Sequence, residues 1–386
     1  MKPTNARVGI LYPVGYLDTV PCVRNTIIML ARYGFTVEVF ILESGDEFPK
    51  VLFNEPRVIL HILRSKGRRG IFSSIPNVFT FTTWAWNLCR GKKFIAMIGV
   101  DPPGLVAATI LGIIYHTPWV YFSLELIIST DPVRMYHNYK QFEVWSSRRS
   151  HLIIIQDEVR ARLIAEDNNI PMNRFAYLPN SPLGPAQRCP TSYLHRQFGF
   201  RSTDKIILYA GSIADEFFSR ELALAARNFP EQWKLVFQTR KNYHDIERHI
   251  GDLFRSHQVF TLHRAVQSSY MDELVSSADI GVALYNFPES PNMIYVGKSS
   301  GKICQYLHCG LPVIAMRLPG WEEMLRRYDS GVSIDSVGGI ITGIEKIFED
   351  YDRFSNGAQE HFERELRFES SFSSVVSRLK SLRYRK

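Results

Sequence analysis

Short apolar runs alternate with helical segments along this chain, and the alternation starts again after a proline-rich stretch. Before that stretch, the runs typical of strands lie at 8–12, 37–42, 58–63, 94–98, 119–122 and 152–156. Strands joined by crossover helices predict a parallel sheet that is covered on both faces. We therefore expect an α/β chain whose N-terminal half is Rossmann-like.

The proline-rich stretch at 178–190 predicts a linker or hinge. After it, strand patterns recur at 206–209, 234–238, 259–262, 280–284 and 312–315. Because 386 residues suffice for two or three domains, we predict Rossmann-like domains at 1–180 and 181–350 that face each other across a cleft. A helical segment at 351–386 is expected to pack back toward the N-terminal domain.

Composition excludes several classes of protein. With 45% hydrophobic and 22% charged residues, the chain is neither disordered nor a small disulfide-stapled module. The five cysteines are scattered, and none has CxxC spacing or a nearby histidine cluster. We interpret them as reduced thiols and not as metal ligands.

The formal charge of +8 is unevenly distributed. Residues 51–100 hold eight lysines or arginines and one acid, and residues 371–386 hold five basic residues and no acid. Such clusters suit an anionic surface, although a merely solvated surface remains the alternative. We expect no secretory signal, because Pro13, Gly15 and Asp18 interrupt the apolar run that begins at Val8. The apolar segment 105–128 is long enough to cross a bilayer, but its central His116 and Pro118 favour a buried helix followed by a central strand.

A phosphate-binding site is indicated by the stretch Ser299, Ser300, Gly301 and Lys302, which precedes an apolar helix. Hydroxyl and backbone N–H groups at a helix N-terminus favour an anion, and a lysine in the first turn is best placed when an anion lies opposite. The alternative is an ordinary serine N-cap followed by a solvent-facing lysine. A dinucleotide enzyme is disfavoured, because a single glycine follows each first strand where a GxGxxG motif is expected.

The C-terminal half resembles family 4 glycosyltransferases of the GT-B fold. The stretches that carry the resemblance are 277–281 (SADIG), 301–302 (GK), 305–307 (QYL) and 309–314 (CGLPVI), with shorter similar pieces at 156–160, 178–181 and 209–212. The likeness covers most of residues 7–335, and its specific core is 279–314. It implies an acceptor-binding N-terminal domain and a C-terminal domain that binds a nucleotide-diphosphate sugar.

The resemblance also implies roles for individual residues. The diphosphate would contact Lys302 and the turn Ser299, Ser300 and Gly301, with Gln305 near the ribose. Gly211 and Ser212 would belong to the same donor site. The family commonly has two glutamates where this chain has Gly297 and Gln305, and this departure puts the identity of the donor sugar in doubt.

A basic pair that many family members carry after the first strand of this domain is also missing. Arg240, Lys241 or Lys298 would supply the second cation that a departing diphosphate requires, and we rank Arg240 first among them. A solvated loop cation is the alternative for Arg240.

On the N-terminal side, Gly15, Asp101 and Glu125 each follow a predicted strand. Gly15 would let the backbone approach the donor, although a plain turn glycine is equally consistent with the sequence. A carboxylate at Asp101 or Glu125 would orient an acceptor hydroxyl or take its proton. Asp101 alternatively caps the helix that follows it.

Family 4 enzymes retain anomeric configuration, so the resemblance implies front-face transfer of a hexosyl group without a strong protein base. No DxD pair or metal cluster stands out in the sequence, and we predict a metal-independent enzyme with no cofactor. Basic residues at 64–69 beside aromatics at 72–86 suggest a cytoplasmic enzyme at the inner membrane face that glycosylates a lipid-linked or polysaccharide acceptor. The alternative is that these aromatics pack in the core.

Two further function classes stay open. One is a catalytically inactive GT-B subunit that binds a partner enzyme, which would explain the missing glutamates. The other is a sugar-nucleotide epimerase, for which Glu289 is the only acid placed close by. Nucleic acid is not expected as a partner, since only charge suggests it.

Overall fold

A computed structural model describes residues 6–43, 50–64, 75–130, 137–264, 266–286 and 290–382. The chain divides into two compact units. The first comprises Met1–Asn180, Glu289–Asn292 and Phe368–Lys386, and the second comprises Ser181–Pro288 and Met293–Arg367. Residues 351–367, which the sequence analysis assigned to the C-terminal segment, therefore belong to the second unit.

The first unit contains a seven-stranded parallel sheet of order β3-β2-β1-β4-β5-β6-β7. Its strands are β1 (Arg7–Tyr12), β2 (Thr36–Leu42), β3 (Val58–Leu63), β4 (Ala96–Val100), β5 (Trp119–Phe122), β6 (Leu152–Ile155) and β7 (Phe175–Tyr177). The strand order reverses between β1 and β4, and ligands of open α/β sheets bind at such a switch point. The sequence analysis missed β7 and placed β4 two residues too early.

Helices of the first unit cover both faces of this sheet. Those before the linker are α1 (Pro21–Arg32), α2 (Ile75–Cys89), α3 (Asp101–Ile114), α4 (Lys140–Ser147) and α5 (Glu158–Asn168). The apolar segment 105–128 contributes most of α3 and all of β5, as predicted for a buried helix and a central strand. Among the helices described, none combines the length and the hydropathy that a membrane crossing requires.

The second unit repeats the design with six parallel strands of order β10-β9-β8-β11-β12-β13. They are β8 (Lys205–Ala210), β9 (Trp233–Thr239), β10 (Val259–His263), β11 (Ile280–Ala283), β12 (Val313–Met316) and β13 (Gly331–Ile334). The helices that follow the linker are α6 (Tyr193–Phe198), α7 (Ser219–Ala225), α8 (Tyr243–Ile250), α9 (Ser268–Val275), α10 (Pro291–Ile294), α11 (Gly301–His308), α12 (Trp321–Arg327), α13 (Ile340–Glu349) and α14 (Tyr351–His361). The short half-buried strand β13 was not predicted.

Side chains of β8 alternate between two hydrophobic cores. Ile206 and Leu208 pack on the side of α11, whereas Ile207 and Tyr209 pack on the opposite side with α7 and α13. A strand that is buried on both faces reads as a continuous apolar run, which is why this strand was recognisable in the sequence.

The last helix, α15 (Phe368–Leu382), belongs to the first unit. The centroid of the Phe372 ring lies 6.0 Å from the centroid of the Tyr33 ring. The Arg378 guanidinium donates to the carbonyl of Phe175, the first residue of the edge strand β7. Glu289 and parts of the charged and aromatic stretches used in the sequence analysis lie outside the described residues; the members of those stretches concerned are Lys66, Arg68, Arg69, Phe72, Arg383, Arg385 and Lys386.

Candidate functional site

The strand order of the second unit reverses between β8 and β11, so the carboxyl ends of these two strands mark its ligand-binding position. Gly211 directly follows β8, and Tyr285 follows β11. The N-terminus of α11 brings Lys302 to the same place. Three elements that are distant in sequence thus converge on one point.

The Lys302 ammonium lies among aromatic rings. Its Nζ is 4.4 Å from the centroid of the Tyr209 ring and 5.1 Å from the centroids of both Phe217 and Tyr285. It also donates to the Tyr209 hydroxyl at 3.3 Å. Ring faces attract a cation but carry no net charge, so they leave the ammonium able to pair with an anion.

Burial lowers the pKa of Lys302 from 10.5 to about 7. Among the residues that the structure describes, no carboxylate forms an ion pair with it. Lys298, four residues earlier, differs because its Nζ lies 3.0 Å from a Glu365 carboxylate oxygen. Lys298 is therefore already neutralised within the chain, while Lys302 has an unmet preference for negative charge.

The two serine hydroxyls at this turn are used within the chain. Ser300 is the N-cap of α11, where its hydroxyl accepts from the Ile303 N–H and lies 2.7 Å from the Tyr285 hydroxyl. The Ser299 hydroxyl donates to the Val296 carbonyl. The Ile303 and Cys304 N–H groups donate to the Ser300 hydroxyl and carbonyl, so the groups that remain for an anion are the N–H groups of Gly301 and Lys302 and the Lys302 ammonium.

Gly211 fits only as glycine. Its φ of +154° is rare for residues with a side chain, and a Cβ there would lie 3.2 Å from Lys302 Nζ. Ser212 beside it is exposed, and its carbonyl accepts from the Tyr209 hydroxyl at 3.0 Å. Arg240 follows β9 and is also exposed. The structure thus brings Gly211 and Ser212 close to Lys302 and leaves Arg240 at the end of the neighbouring strand.

Tyr306 fixes α11, and with it Lys302, against the sheet. Its hydroxyl accepts from the Ala210 N–H at 2.7 Å and donates to the Leu208 carbonyl at 3.2 Å. The ring lies so close to Gly281 that a Cβ there would be 2.3 Å from ring carbon Cδ2. This contact gives a physical reason for the glycine at the end of the 277–281 stretch.

We expect Tyr306→Phe to lower the free energy of unfolding by about 1–3 kcal/mol, because the Ala210 N–H loses its acceptor beside a buried strand. Equilibrium unfolding in urea measures this loss directly. An unchanged midpoint would show that the hydroxyl does not hold the helix on the sheet.

Gln305 does not turn toward Lys302 in this structure. Its side-chain amide donates to Asp272 Oδ1 at 2.6 Å and to Cys309 Sγ at 3.5 Å. The predicted contact with a ribose therefore stays a prediction, and it would require this amide to exchange partners.

In the first unit, the switch point between β1 and β4 brings the predicted carboxylates together. Asp101 is the first residue of α3, and its Oδ1 accepts from the N–H groups of Leu124 and Glu125, at 2.9 and 3.1 Å. It does not cap α3, since this carboxylate is bound to the loop after β5 instead. Gly15 lies half-buried in the loop after β1.

Two residues that were not proposed for the site complete this cluster. Buried Arg160 of α5 donates to the Leu124 carbonyl and to Asn292 Oδ1, both at 2.8 Å. Asn292 in turn donates to the Glu125 carboxylate. Arg160 ends the 156–160 stretch, which was noted for its resemblance but not for its chemistry. We name Asp101, Glu125, Arg160 and Asn292 the acidic cluster.

Burial raises the pKa of Asp101 from 3.8 to about 8, and the neighbouring Glu125 carboxylate adds to the effect. Asp101 is therefore largely protonated at neutral pH. Because the folded pKa exceeds the unfolded one, the folded state binds the extra proton between about pH 4 and pH 8, and its stability falls as pH rises through that window.

We expect Asp101→Asn to raise the free energy of unfolding by about 1–3 kcal/mol at pH 8 and by little near pH 4. Asparagine keeps an acceptor for the two N–H groups and removes the buried charge. Urea unfolding at several pH values measures the difference, which must grow with pH. A pH-independent difference would contradict the raised pKa.

Three solved structures resemble this one over nearly their whole length. Sucrose-phosphate synthase from Thermosynechococcus elongatus has a TM-score of 0.74 and 14% identity, over 98% of this chain and 99% of that one. Anabaena HepE in complex with UDP-glucose has a TM-score of 0.71 and 15% identity, over 97% of this chain and 99% of that one. WaaG, a glycosyltransferase involved in lipopolysaccharide biosynthesis, has a TM-score of 0.66 and 13% identity, over 96% of this chain and 98% of that one.

The chain has the GT-B fold. The predicted fold class of two Rossmann-like domains is thereby confirmed. No family model matches the sequence. No curated protein matches it either. At these low identities the likeness establishes the GT-B fold alone, and the function has to be argued from the residues of the site.

Proposed function

We propose that this protein is a retaining glycosyltransferase that moves a hexosyl group from a nucleotide-diphosphate sugar to an acceptor hydroxyl. The observation that carries the proposal is the Lys302 ammonium, which lies at a helix N-terminus and at the switch point of the second sheet without a carboxylate partner among the described residues. A diphosphate supplies the charge that this position lacks. Anabaena HepE, which has the same fold, was solved with UDP-glucose.

In the proposed reaction, the bond between the anomeric carbon and the diphosphate oxygen breaks. The bond to the acceptor oxygen forms on the same face of the sugar, and the acceptor proton passes to the departing phosphate oxygen. The Lys302 ammonium and the N–H groups of Gly301 and Lys302 would stabilise the negative charge that develops on the diphosphate. Arg240 is our candidate for a second cation. Cationic side chains would then act without a metal ion.

The acidic cluster would position the acceptor. Protonated Asp101 holds the loop that carries Glu125, and Asn292 donates to the Glu125 carboxylate. A carboxylate held in this way can accept a hydrogen bond from an acceptor hydroxyl and orient its oxygen. Front-face transfer needs no stronger base, so the role proposed for Glu125 is positioning.

An exposed face of the first unit supports a membrane-associated acceptor. Phe79 and Trp86 of α2 are seven residues apart, so they share one helix face, and both are exposed. The Tyr115 hydroxyl donates to the Trp86 carbonyl, and Ile113 and Ile114, which precede Tyr115 at the end of α3, are also exposed. Two other aromatic residues of this stretch pack in the core, as the alternative interpretation expected: Phe81 is buried in a hydrophobic cluster, and the partly buried Trp84 packs against it.

This face joins apolar groups to positive charge, since the Arg90 guanidinium lies 5.6 Å from the Trp86 ring centroid. Aromatic side chains beside cations suit the interface of an anionic bilayer. We therefore propose a cytoplasmic enzyme that binds the inner face of the membrane and glycosylates a lipid-linked or polysaccharide intermediate.

Liposome sedimentation tests the membrane contact. We expect the protein to pellet with anionic vesicles at low salt, to be released partly by high salt, and to bind about tenfold more weakly after Phe79→Ala with Trp86→Ala. Trp145→Ala is a matched control, because Trp145 belongs to α4, is about as exposed as Trp86, and also has an arginine guanidinium, that of Arg149, 4.6 Å from its ring centroid. No pelleting, or equal losses in both variants, would remove the membrane proposal.

Calorimetry with UDP-, GDP-, ADP- and dTDP-sugars, followed by a hydrolysis assay of the bound sugar nucleotide, tests the proposed function. Binding with turnover supports the transferase. Binding without turnover would favour the inactive partner subunit, which is consistent with the missing glutamates at Gly297 and Gln305. Conversion to an isomeric sugar nucleotide would identify an epimerase. No binding of any sugar nucleotide would refute all three.

A further inference from the structure

Three potential metal ligands meet at the end of α11 opposite to Lys302. Asp272 of α9, His308 at the end of α11 and the adjoining Cys309 each offer one ligand atom, and the three atoms lie within 4.8 Å of one another. Asp272 Oδ1 is 3.5 Å from His308 Nδ1 and 3.9 Å from Cys309 Sγ. We name these three residues the metal cluster.

These separations resemble those around one tetrahedral zinc ion. Bonds of about 2.0 Å to oxygen and nitrogen and about 2.3 Å to sulfur place tetrahedral ligands about 3.3–3.6 Å apart. The observed 3.5 and 3.9 Å from Asp272 are close to these values, whereas the three atoms as a set span up to 4.8 Å, so the His308 and Cys309 side chains would have to move closer together to bind one ion. A set of one sulfur, one imidazole nitrogen and one carboxylate oxygen favours zinc or a similar transition metal over magnesium or calcium.

The His308 ring gives an independent indication of a ligand. The side chain is only 8% exposed, Nε2 has no hydrogen-bond partner among the residues described, and Nδ1 has only a long contact of 3.5 Å with Asp272 Oδ1. Buried polar nitrogens are nearly always paired in folded proteins, so one left unpaired calls for an explanation. A metal ion between Nδ1 and the Asp272 carboxylate would replace this long contact with two short bonds.

The surroundings are built to hold this cluster. Gln305 donates to both Asp272 and Cys309, and such contacts to ligands fix their orientation. The linker at 183–191 is anchored beside it, because the Gln187 N–H donates to the His308 carbonyl at 2.8 Å and the Thr191 hydroxyl to the Glu273 carbonyl at 2.8 Å. Helix C-termini carry partial negative charge, which favours a cation at this end of α11.

We propose that Asp272, His308 and Cys309 bind one zinc ion. The adjoining cavity, of about 280 Å³ and lined in part by Gly184 and Cys189, leaves room for a water molecule as fourth ligand. The ion joins α9 to the end of α11 and would stabilise this part of the second unit. This inference does not rest on the proposed function, since the metal cluster and Lys302 occupy opposite ends of the same helix.

Zinc titration of the full-length, chelator-treated protein against a chromophoric zinc chelator tests the site. We expect one zinc ion per chain, with affinity at least tenfold weaker in Asp272→Asn and at least 100-fold weaker in His308→Ala and Cys309→Ala. Cys189→Ala is the matched control, because its thiol lines the cavity outside the metal cluster and should leave the affinity unchanged. Zinc should also raise the melting temperature of the wild type by several degrees.

Cobalt provides a readout that does not depend on how well the variants fold. Cobalt(II) added to the wild-type protein should give a thiolate charge-transfer band, and zinc should abolish it. Asp272 is exposed, so Asp272→Asn should fold normally and still bind more weakly. Absence of the band, a wild type that does not bind zinc, or equal zinc affinity in the wild type and Asp272→Asn would overturn the proposal.

Discussion

Replacing Lys302 with methionine is expected to weaken the binding of a nucleotide-diphosphate sugar by at least about 30-fold. Methionine keeps an unbranched side chain that can pack against Tyr209, Phe217 and Tyr285, but it removes the cation. Loss of one partner from a desolvated charge pair costs about 2–5 kcal/mol. Calorimetry with the sugar nucleotide that binds the wild type measures the change.

Lys298→Met is the matched control for this experiment. Lys298 lies in the turn before α11 and is likewise half-buried, but its ammonium is paired with Glu365. We expect its replacement to change sugar-nucleotide affinity less than threefold. Unchanged affinity in Lys302→Met, with the unfolding temperature also unchanged, would refute the diphosphate role of Lys302. Equal losses in both variants would indicate that general surface charge, and not this position, attracts the ligand.

Much of the fold was predictable because central parallel strands are apolar on both faces. Such strands form continuous runs, and those of β1, β5, β8 and β11 were all recognised. The two missed strands lack this signal. β7 has only three residues and ends at exposed Tyr177, while β13 is half-buried at the edge of its sheet.

The position of the candidate donor site was predictable for a related reason. Residues that follow parallel strands or begin the next helix lie at the carboxyl edge of the sheet, so Gly211 and Lys302 could be assigned to one edge from the order of elements alone. The aromatic rings around Lys302 could not be predicted in this way. They come from loops and from the end of β8, and their convergence depends on tertiary packing.

The same limit explains the residues that were missed. Arg160 and Asn292 meet only because α5 and the segment around 292 both reach the loop after β5. His308 and Cys309 adjoin in sequence, but Asp272 lies on another helix, and no spacing rule connects a residue of α9 to the end of α11. The interpretation of Cys309 as an ordinary thiol followed from spacing alone, and our zinc proposal replaces it.

Sugar-nucleotide binding is expected to weaken as pH rises above 7, by about tenfold per pH unit, so that affinity at pH 9 is about 50-fold below that at pH 7. The free protein holds Lys302 with a pKa of about 7 because burial disfavours the ammonium. A bound diphosphate favours the ammonium and raises that pKa. Above pH 7, Lys302 therefore takes up a proton when the ligand binds. The free energy needed for this protonation makes the observed binding free energy less favourable.

Calorimetry in two buffers of different ionisation enthalpy counts the protons taken up. We expect uptake to approach one proton per ligand at pH 8–9 in the wild type and to vanish in Lys302→Met. An intact sugar nucleotide is the required ligand, because its diphosphate is esterified at both ends and does not itself titrate in this range. Proton uptake that persists in Lys302→Met would assign the titration to another group, whereas pH-independent binding by the wild type would mean that no diphosphate faces the Lys302 ammonium.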